Sequence, residues 1–300
     1  IREITAQGDP ESVIFGADNG LTLADLKGVT DIEDERWSQL IDQIELEEAL
    51  IRTAFGGTST KIIESIVSPE VIQNDGPNGF NSYPLGQYAN KDVSTGDPCA
   101  VDPDDPNLGY RMGVMGNGTV MGQTFSKQLM EEWGKVIGNY SLWANTTIFW
   151  GAGTNLHRVP YNARNHEYFS EDAVLTAGQA STFIAAGQEY GTIIAPKHLA
   201  FNDTEINRTG IAAFMTEQAA RENELRGTQD CIEGAGALGV MSTYNRVGCT
   251  QSNAHEGLLL NILHKEWGFK GLMSEDFIQD PNYTVLKEAV HNGVTMTCNT

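Results

Sequence analysis

The segment Gly271-Leu272-Met273-Ser274-Glu275-Asp276-Phe277 is an apolar run that ends abruptly in two carboxylates, just after the helix-like stretch Leu258 to Trp267. Three earlier segments share this design. Ile193-Ile194-Ala195-Pro196 delivers Lys197 and His198; Val240-Met241-Ser242-Thr243 delivers Tyr244 and Asn245; Val71-Ile72-Gln73-Asn74 delivers Asp75. Short apolar runs are what a strand buried on both faces looks like, and strands alternating with helices build parallel sheets. Polar side chains released at the C-terminal strand ends then gather on one face. The expected fold class is α/β, a (β/α)8 TIM-like barrel with its site on that face.

The rest of the chain fits the alternation. Residues 1–30 mix Gly, Asp and Thr without periodicity and read as a lead-in or linker, leaving residues 31–300 for the barrel. A first helix is expected over Asp31 to Phe55, with Trp37, Leu40, Ile41 and Ile44 on one face and Gly56-Gly57 as its stop. Residues 80–110 are rich in Gly, Pro, Asp and Asn and read as a long surface loop following Asp75, of a length that points toward function. Phe125, Leu129, Trp133 and Val136 mark a second helix, and Thr147 to Trp150 a strand running into Gly151 and Gly153. Ser170-Glu171-Asp172 caps a helix reaching about Ala186, with Val174, Leu175, Ala180, Phe183 and Ile184 inside. Further strands are expected at 192–195, 238–243, 271–274 and 294–298, separated by helices near 215–226, 255–266 and 287–292. The chain then ends at or just inside the last β/α unit of the barrel.

Composition narrows the partners. Nineteen basic against forty acidic residues give a net charge of −21, which disfavours nucleic acid and anionic membrane surfaces. No apolar run approaches the length of a spanning helix. Ile1 is not an initiator Met, so the absence of a leader says nothing about export. Cys99, Cys231, Cys249 and Cys298 lack CxxC spacing; free buried thiols are expected, with a Cys231–Cys249 approach the alternative. Sequons at Asn117, Asn139, Asn145, Asn202, Asn207 and Asn282 lean weakly toward secretion, and the compartment stays unassigned.

Several chemistries lack their central residues. Gly234 to Gly239 spells GxGxxG, but it precedes a strand, so no helix N-terminus follows to receive a pyrophosphate. Walker A, HExxH and GxSxG are absent, and His166-Glu167 is not a metal-ligand spacing. No cofactor and no metal are expected. What remains is Asp75, Arg164, Lys197, His198, Tyr244 and Asp276, a set suited to a polyhydroxylated ring: carboxylates accept from hydroxyls, and Lys, Arg and His donate to them. Asp276 among cations would be ionised at neutral pH, which suits a nucleophile and not a general acid. Tyr244 could donate to it and hold its orientation. Each residue also has a plainer role open to it: Arg164 pairing Glu167 or Asp172, Lys197 bonding a loop carbonyl, Tyr244 lying on the rim.

The order and spelling of the motifs resemble glycoside hydrolase family 3. The resemblance is carried by Asn74-Asp75-Gly76-Pro77, by Asn155 to Pro160, and by Ala163-Arg164-Asn165-His166-Glu167-Tyr168-Phe169-Ser170-Glu171-Asp172. Lys197-His198-Leu199-Ala200-Phe201-Asn202-Asp203-Thr204-Glu205 with Arg208, Met241 to Asn245, and Glu266 to Gly271 continue it. It covers roughly residues 30–300, and the lead-in Asp31 to Glu48 looks like members whose domains are circularly permuted. By that resemblance Asp276 matches the nucleophile position. Asp75, Arg164, Lys197, His198, Met241 and Tyr244 match positions around the terminal sugar. The implied activity is retaining exo-hydrolysis of small β-glucosides or oligosaccharides, with the acid/base a Glu on a second α/β domain outside these residues. Specificity for β-xylosides on the same fold, or a catalytically inactive sugar-binding barrel, are the alternatives.

The chain departs from the family pattern. Glu275 stands where Ser or Thr is usual, which makes it a register rival to Asp276, and Phe277 stands where Trp is frequent. Ala163 replaces a Gly, and Asn81 replaces an Arg that often donates to the sugar. The loop Asn202 to Thr209 has no His, which argues against the Asp–His dyad of N-acetylglucosaminide-cleaving members. Glu205 is an in-chain fallback for the acid, with a salt bridge to Arg208 as its plainer role.

Overall fold

In the computed structural model of the protein, the described residues are 13–54, 59–77, 79–80, 116–277 and 283–297. They fall into two compact units divided between Val71 and Ile72. Most of the expected 80–110 loop, Asn81, Cys99, Asn282 and Cys298 lie outside the described residues.

The first unit contains α1 (Glu35–Asp42) and α2 (Leu46–Ala54), where the sequence reading expects one helix. The break has a local cause. Buried Gln43 turns its amide into the unit, where it accepts from Leu21 N at 2.7 Å and donates to Leu21 O at 2.7 Å. Glu48 accepts from Glu45 N, the start of a new helical turn, and from the backbone of Glu64 and Ser65. These side-chain bonds compete with continuing the helix ladder. The lead-in is not featureless either. Thr22 and Asp25 cap a 3-10 turn, Leu23–Leu26, that packs Leu26 with Leu40, Ile63 and Ile66.

The second unit is built on parallel staves. β1 (Val71–Asp75) pairs with β2 (Ile148–Gly153), placing Asp75 beside Trp150, and β2 pairs with β3 (Ile193–Lys197). A bridge from Leu199 to Ser242 leads to β4 (Gly239–Met241), and β4 pairs with β5 (Leu272–Ser274). Ser274 then bridges in parallel to Met296. The Gln73 amide reaches the Met296 sulfur at 3.6 Å, so side chains of the first and last of these staves touch. The backbone ladder does not close among the described residues, which show a mixed α/β assembly and not a complete eight-stave ring.

Alternation sorts the side chains. Phe149, Ile194, Val240 and Met273 point outward into a core shared with the helices, whose fully buried members include Met130, Trp133, Phe183, Ile184, Leu259 and Leu263. Residues of the opposite parity, Asp75, Lys197, Met241 and Asp276, face the hollow side.

α3 (Lys127–Trp143) starts at Ser126, which caps Leu129 N, and α4 (Ala173–Gln188) starts at Asp172, which caps Leu175 N at 2.7 Å. The buried face of α3 is Met130, Trp133 and Ile137. Phe125 precedes the cap and Leu129 faces solvent, contrary to the expected face, and Val174 on α4 is likewise exposed.

α5 (Arg226–Glu233) follows a wide turn, Ala220–Glu224, and the glycine-rich stretch after α5 feeds β4, in keeping with its exclusion as a dinucleotide loop. α6 (Gly257–Glu266) is wound with i+5 bonds such as Trp267 N to Ile262 O, and α7 (Leu286–His291) closes the described order. Cys231 is a buried free thiol, and Cys249 is free and exposed, where burial was expected. Among the described residues no helix is long and apolar enough to cross a membrane.

Candidate active site

The C-terminal ends of β1, β3, β4 and β5 converge. Lys197 ends β3 with its side chain 2% exposed, an ammonium that cannot stay buried without anionic partners. It forms an ion pair with Asp75 from β1 and lies 3.8 Å from Glu167. Glu167 in turn takes a bidentate grip on Arg164, at 3.0 and 2.8 Å. Burial works against the Glu167 charge, but Lys197 and Arg164 outweigh it and hold the carboxyl below its ordinary range.

Close packing brings this turn in. A Cβ at Gly153 would stand 2.4 Å from the Glu167 carbonyl oxygen, so only glycine at the end of β2 permits the approach.

His198 follows Lys197 and is 1% exposed. Its backbone is gripped by Asn155, which accepts from His198 N at 2.9 Å and donates to His198 O at 3.0 Å. The ring Nε2 lies 3.0 Å from the Arg164 guanidinium, a pure donor, so Nε2 carries the lone pair. The proton therefore sits on Nδ1, which faces Asn155 Oδ1 at 3.3 Å. Burial, reinforced by Arg164, Lys197 and Arg208, pushes the imidazole pKa far down, so His198 is neutral at pH 7. Its 3.5 Å approach to Asp276 is consequently a contact of a neutral ring and not an ion pair. Sequence reasoning expected His198 to donate to a hydroxyl; in this state its donor is engaged by Asn155.

Asp276 lies just beyond β5 with its side chain 10% exposed. The phenol of Tyr244 donates to its carboxylate. The Asp276 pKa is raised: burial dominates, Lys197 and Arg164 pull it back, and Asp75 adds repulsion. Sequence reasoning expected the surrounding cations to favour the charged form; they do pull in that direction, and desolvation outweighs them so that the net shift is upward.

Glu275, the register rival, is wholly buried. Neither of its carboxyl oxygens has a partner among the described residues, and burial followed by the Asp276 charge pushes its pKa up to about 8. Alternation turns it away from the hollow that Asp276 faces. Met241, 3% exposed at the end of β4, supplies apolar wall.

The structure brings all seven sequence-nominated residues to this end of the staves. Glu167, Asn155 and Tyr168 were not nominated. Tyr168 is fully buried, with its hydroxyl 3.3 Å from His198 Nδ1. The available signal was the i, i+3 spacing of Arg164 and Glu167, which a single turn brings together. Arg164 does make the plainer pairing with Glu167, and the same Nη2 also lies 3.0 Å from His198 Nε2. Glu205 is tied to Arg208 at 2.7 Å and lies 3.6 Å from Arg164, which leaves it committed as an acceptor and ill-suited as an acid. Asn202, a sequon position, is 1% exposed and bonds Tyr168 and Glu205. No cluster of three His, Cys, Asp or Glu among the described residues could hold a metal ion.

Carboxylates, a guanidinium, an ammonium and a phenol gather at the ends of parallel staves in an α/β protein. Residues 107–295 match the family described as glycosyl hydrolase family 3 N terminal domain, and the chain belongs to that family. It is 32% identical over 209 residues to the probable beta-glucosidase J of Emericella nidulans, an alignment covering 70% of this chain and 22% of that protein. Beta-glucosidase 3B from Thermotoga neapolitana, solved in complex with glucose, aligns with a TM-score of 0.72 at 26% identity, over 87% of this chain and 36% of that one. The beta-glucosidase from Kluyveromyces marxianus, also in complex with glucose, gives 0.73 at 28%, over 87% of this chain and 28% of that one. The chain spans well under half the length of these relatives.

Proposed function

We propose that residues 31–300 form the (β/α)8 barrel domain of a retaining, exo-acting β-glycosidase for terminal β-linked glucose, with residues 1–30 a lead-in. The observation that carries this reading is the Asp276 carboxyl. It is met by Tyr244 and His198 and lies in the field of Lys197 and Arg164, in a hollow open enough to leave Asp75 45% exposed. Family membership and the glucose-bound relatives support a hexose as the ring.

Asp276 attacks the anomeric carbon, the bond to the leaving oxygen breaks, and a glycosyl-aspartate forms; water then attacks that carbon and releases the sugar with retained configuration. Asp75, Arg164, Lys197, His198, Met241 and Tyr244 shape the subsite around the sugar. The acid that protonates the leaving oxygen stands about 5–5.5 Å from the nucleophile in retaining enzymes. We place it on a second α/β domain outside these residues, since Glu205 is already paired twice.

The test uses the complete protein with dinitrophenyl β-glucoside and its 2-deoxy-2-fluoro analogue. Turnover, mass-spectrometric trapping of the sugar on Asp276, and a loss of at least about a thousandfold in Asp276→Ala are expected. A second reading, an inactive sugar-binding barrel, draws on Glu275 and Phe277 flanking Asp276 and on the commitment of Glu205 to ion pairs; glucose binding with no turnover at any pH would establish it instead. Faster turnover of the β-xyloside than of the β-glucoside would reassign the sugar while keeping the mechanism.

A further inference from the structure

Tyr244 is 7% exposed, and its phenol meets Asp276. Over its ring lies the Arg208 guanidinium, its central carbon 4.2 Å from the ring centroid. Arg208 is held by Glu205 Oε2 at 2.7 Å, while Glu205 Oε1 accepts from Asn202 at 3.2 Å and approaches Arg164 at 3.6 Å. Arg164 is 3.0 Å from His198 Nε2, and His198 is 3.5 Å from Asp276. The contacts therefore run in a closed circuit from Asp276 through Tyr244, Arg208, Glu205, Arg164 and His198 back to Asp276. Glu205 sits on the far side of the circuit from the carboxyl.

From this geometry we infer that Arg208 and Glu205 are positioning residues for the reaction proposed above. The pair clamps the Tyr244 ring so that its hydroxyl meets Asp276, and neither residue touches the reacting atoms. A cation over an aromatic face stabilises one ring orientation, and a partly desolvated guanidinium does so more strongly than one in water. The Arg208 charge also draws the phenol toward greater acidity against the opposing effects of burial and Asp276, which strengthens it as a donor. Glu205 anchors Arg208 and keeps its charge compatible with that of Arg164 nearby. The inference rests on Asp276 being the nucleophile.

The test is kinetic, on the complete protein with an aryl β-glucoside. Arg208→Met keeps volume and removes charge; kcat is expected to fall about tenfold with KM changed by less than about twofold. Arg208→Lys, which retains a cation over the ring, is expected to recover most of the loss. In a Tyr244→Phe background, Arg208→Met is expected to cost nothing further, because the hydroxyl it positions is gone. A merely structural Arg208 would slow Tyr244→Phe by the same factor as wild type and would not be rescued by lysine; either outcome overturns the inference.

If thermal melts show that Arg208→Met does not fold, Glu205→Gln decides the matter. It leaves Arg208 in place without its anchor, and a kcat loss of about threefold is expected; an unchanged kcat overturns the clamp. An inactive wild type sinks both this inference and the reaction itself. Active wild type with Arg208 variants that behave like wild type sinks the inference alone.

Discussion

At the scale of single residues, the adjacent carboxyls Glu275 and Asp276 meet different surroundings because successive residues at a strand end face opposite sides. Asp276 faces cations and a phenol. Glu275 faces the opposite side, away from the hollow, buried and unpartnered among the described residues, and burial pushes its pKa up to about 8. A raised pKa means that the fold prefers the protonated acid. Its contribution to stability is therefore complete below the unfolded value near 4.5 and disappears as pH rises through about 8. Glu275→Gln, a permanent mimic of the neutral acid, should melt at the same temperature as wild type at pH 5. At pH 9 it should be more stable by an amount on the order of 3 kcal/mol. Equal melting temperatures at both pH values would show that Glu275 is solvated or paired. Asp276 was legible from the sequence as the polar end of an apolar run. Its raised pKa was not, because desolvation depends on neighbours far away in the chain.

Helix pairing shows the same division between pattern and packing. The caps at Ser126 and Asp172 follow from local chemistry, and Asp172→Ala should cost about 1 kcal/mol by thermal denaturation. The facing surfaces were harder to read. Phe125 and Leu129 fit a helical period yet lie on the solvent side, whereas Gly134 faces α4.

A Cβ at Gly134 would come 2.4 Å from the Phe183 carbonyl oxygen and 2.9 Å from the Ala186 Cβ. Helix propensity alone favours Gly134→Ala by about 1 kcal/mol. The contact is with backbone that cannot step aside, so overpacking should prevail, with a net loss of roughly 2 kcal/mol in a denaturant titration. A stabilised variant would mean that α3 and α4 stand further apart.

For the whole molecule, the residues proposed as nucleophile and sugar subsite gather at one end of the staves, while Glu205, the acidic candidate for leaving-group protonation, is held in ion pairs. Removing a general acid slows poor leaving groups far more than good ones. In the complete protein, Glu205→Gln should therefore slow dinitrophenyl and methyl β-glucosides by the same factor. A loss confined to the methyl glycoside would identify Glu205 as the acid.

The sequence by itself determined the alternation of strands and helices, because burial on both faces demands apolar runs, and it determined which polar residues follow those runs. Family motifs added the expected nucleophile and subsite. Tertiary structure alone decided that Arg164 would be shared between Glu167 and His198, that His198 would be neutral, and that Arg208 would cover Tyr244. It also decided that the first helix would break at Gln43. Each of these depends on side chains from separate elements meeting out of water, where the energy of a charge is set by its neighbours in space.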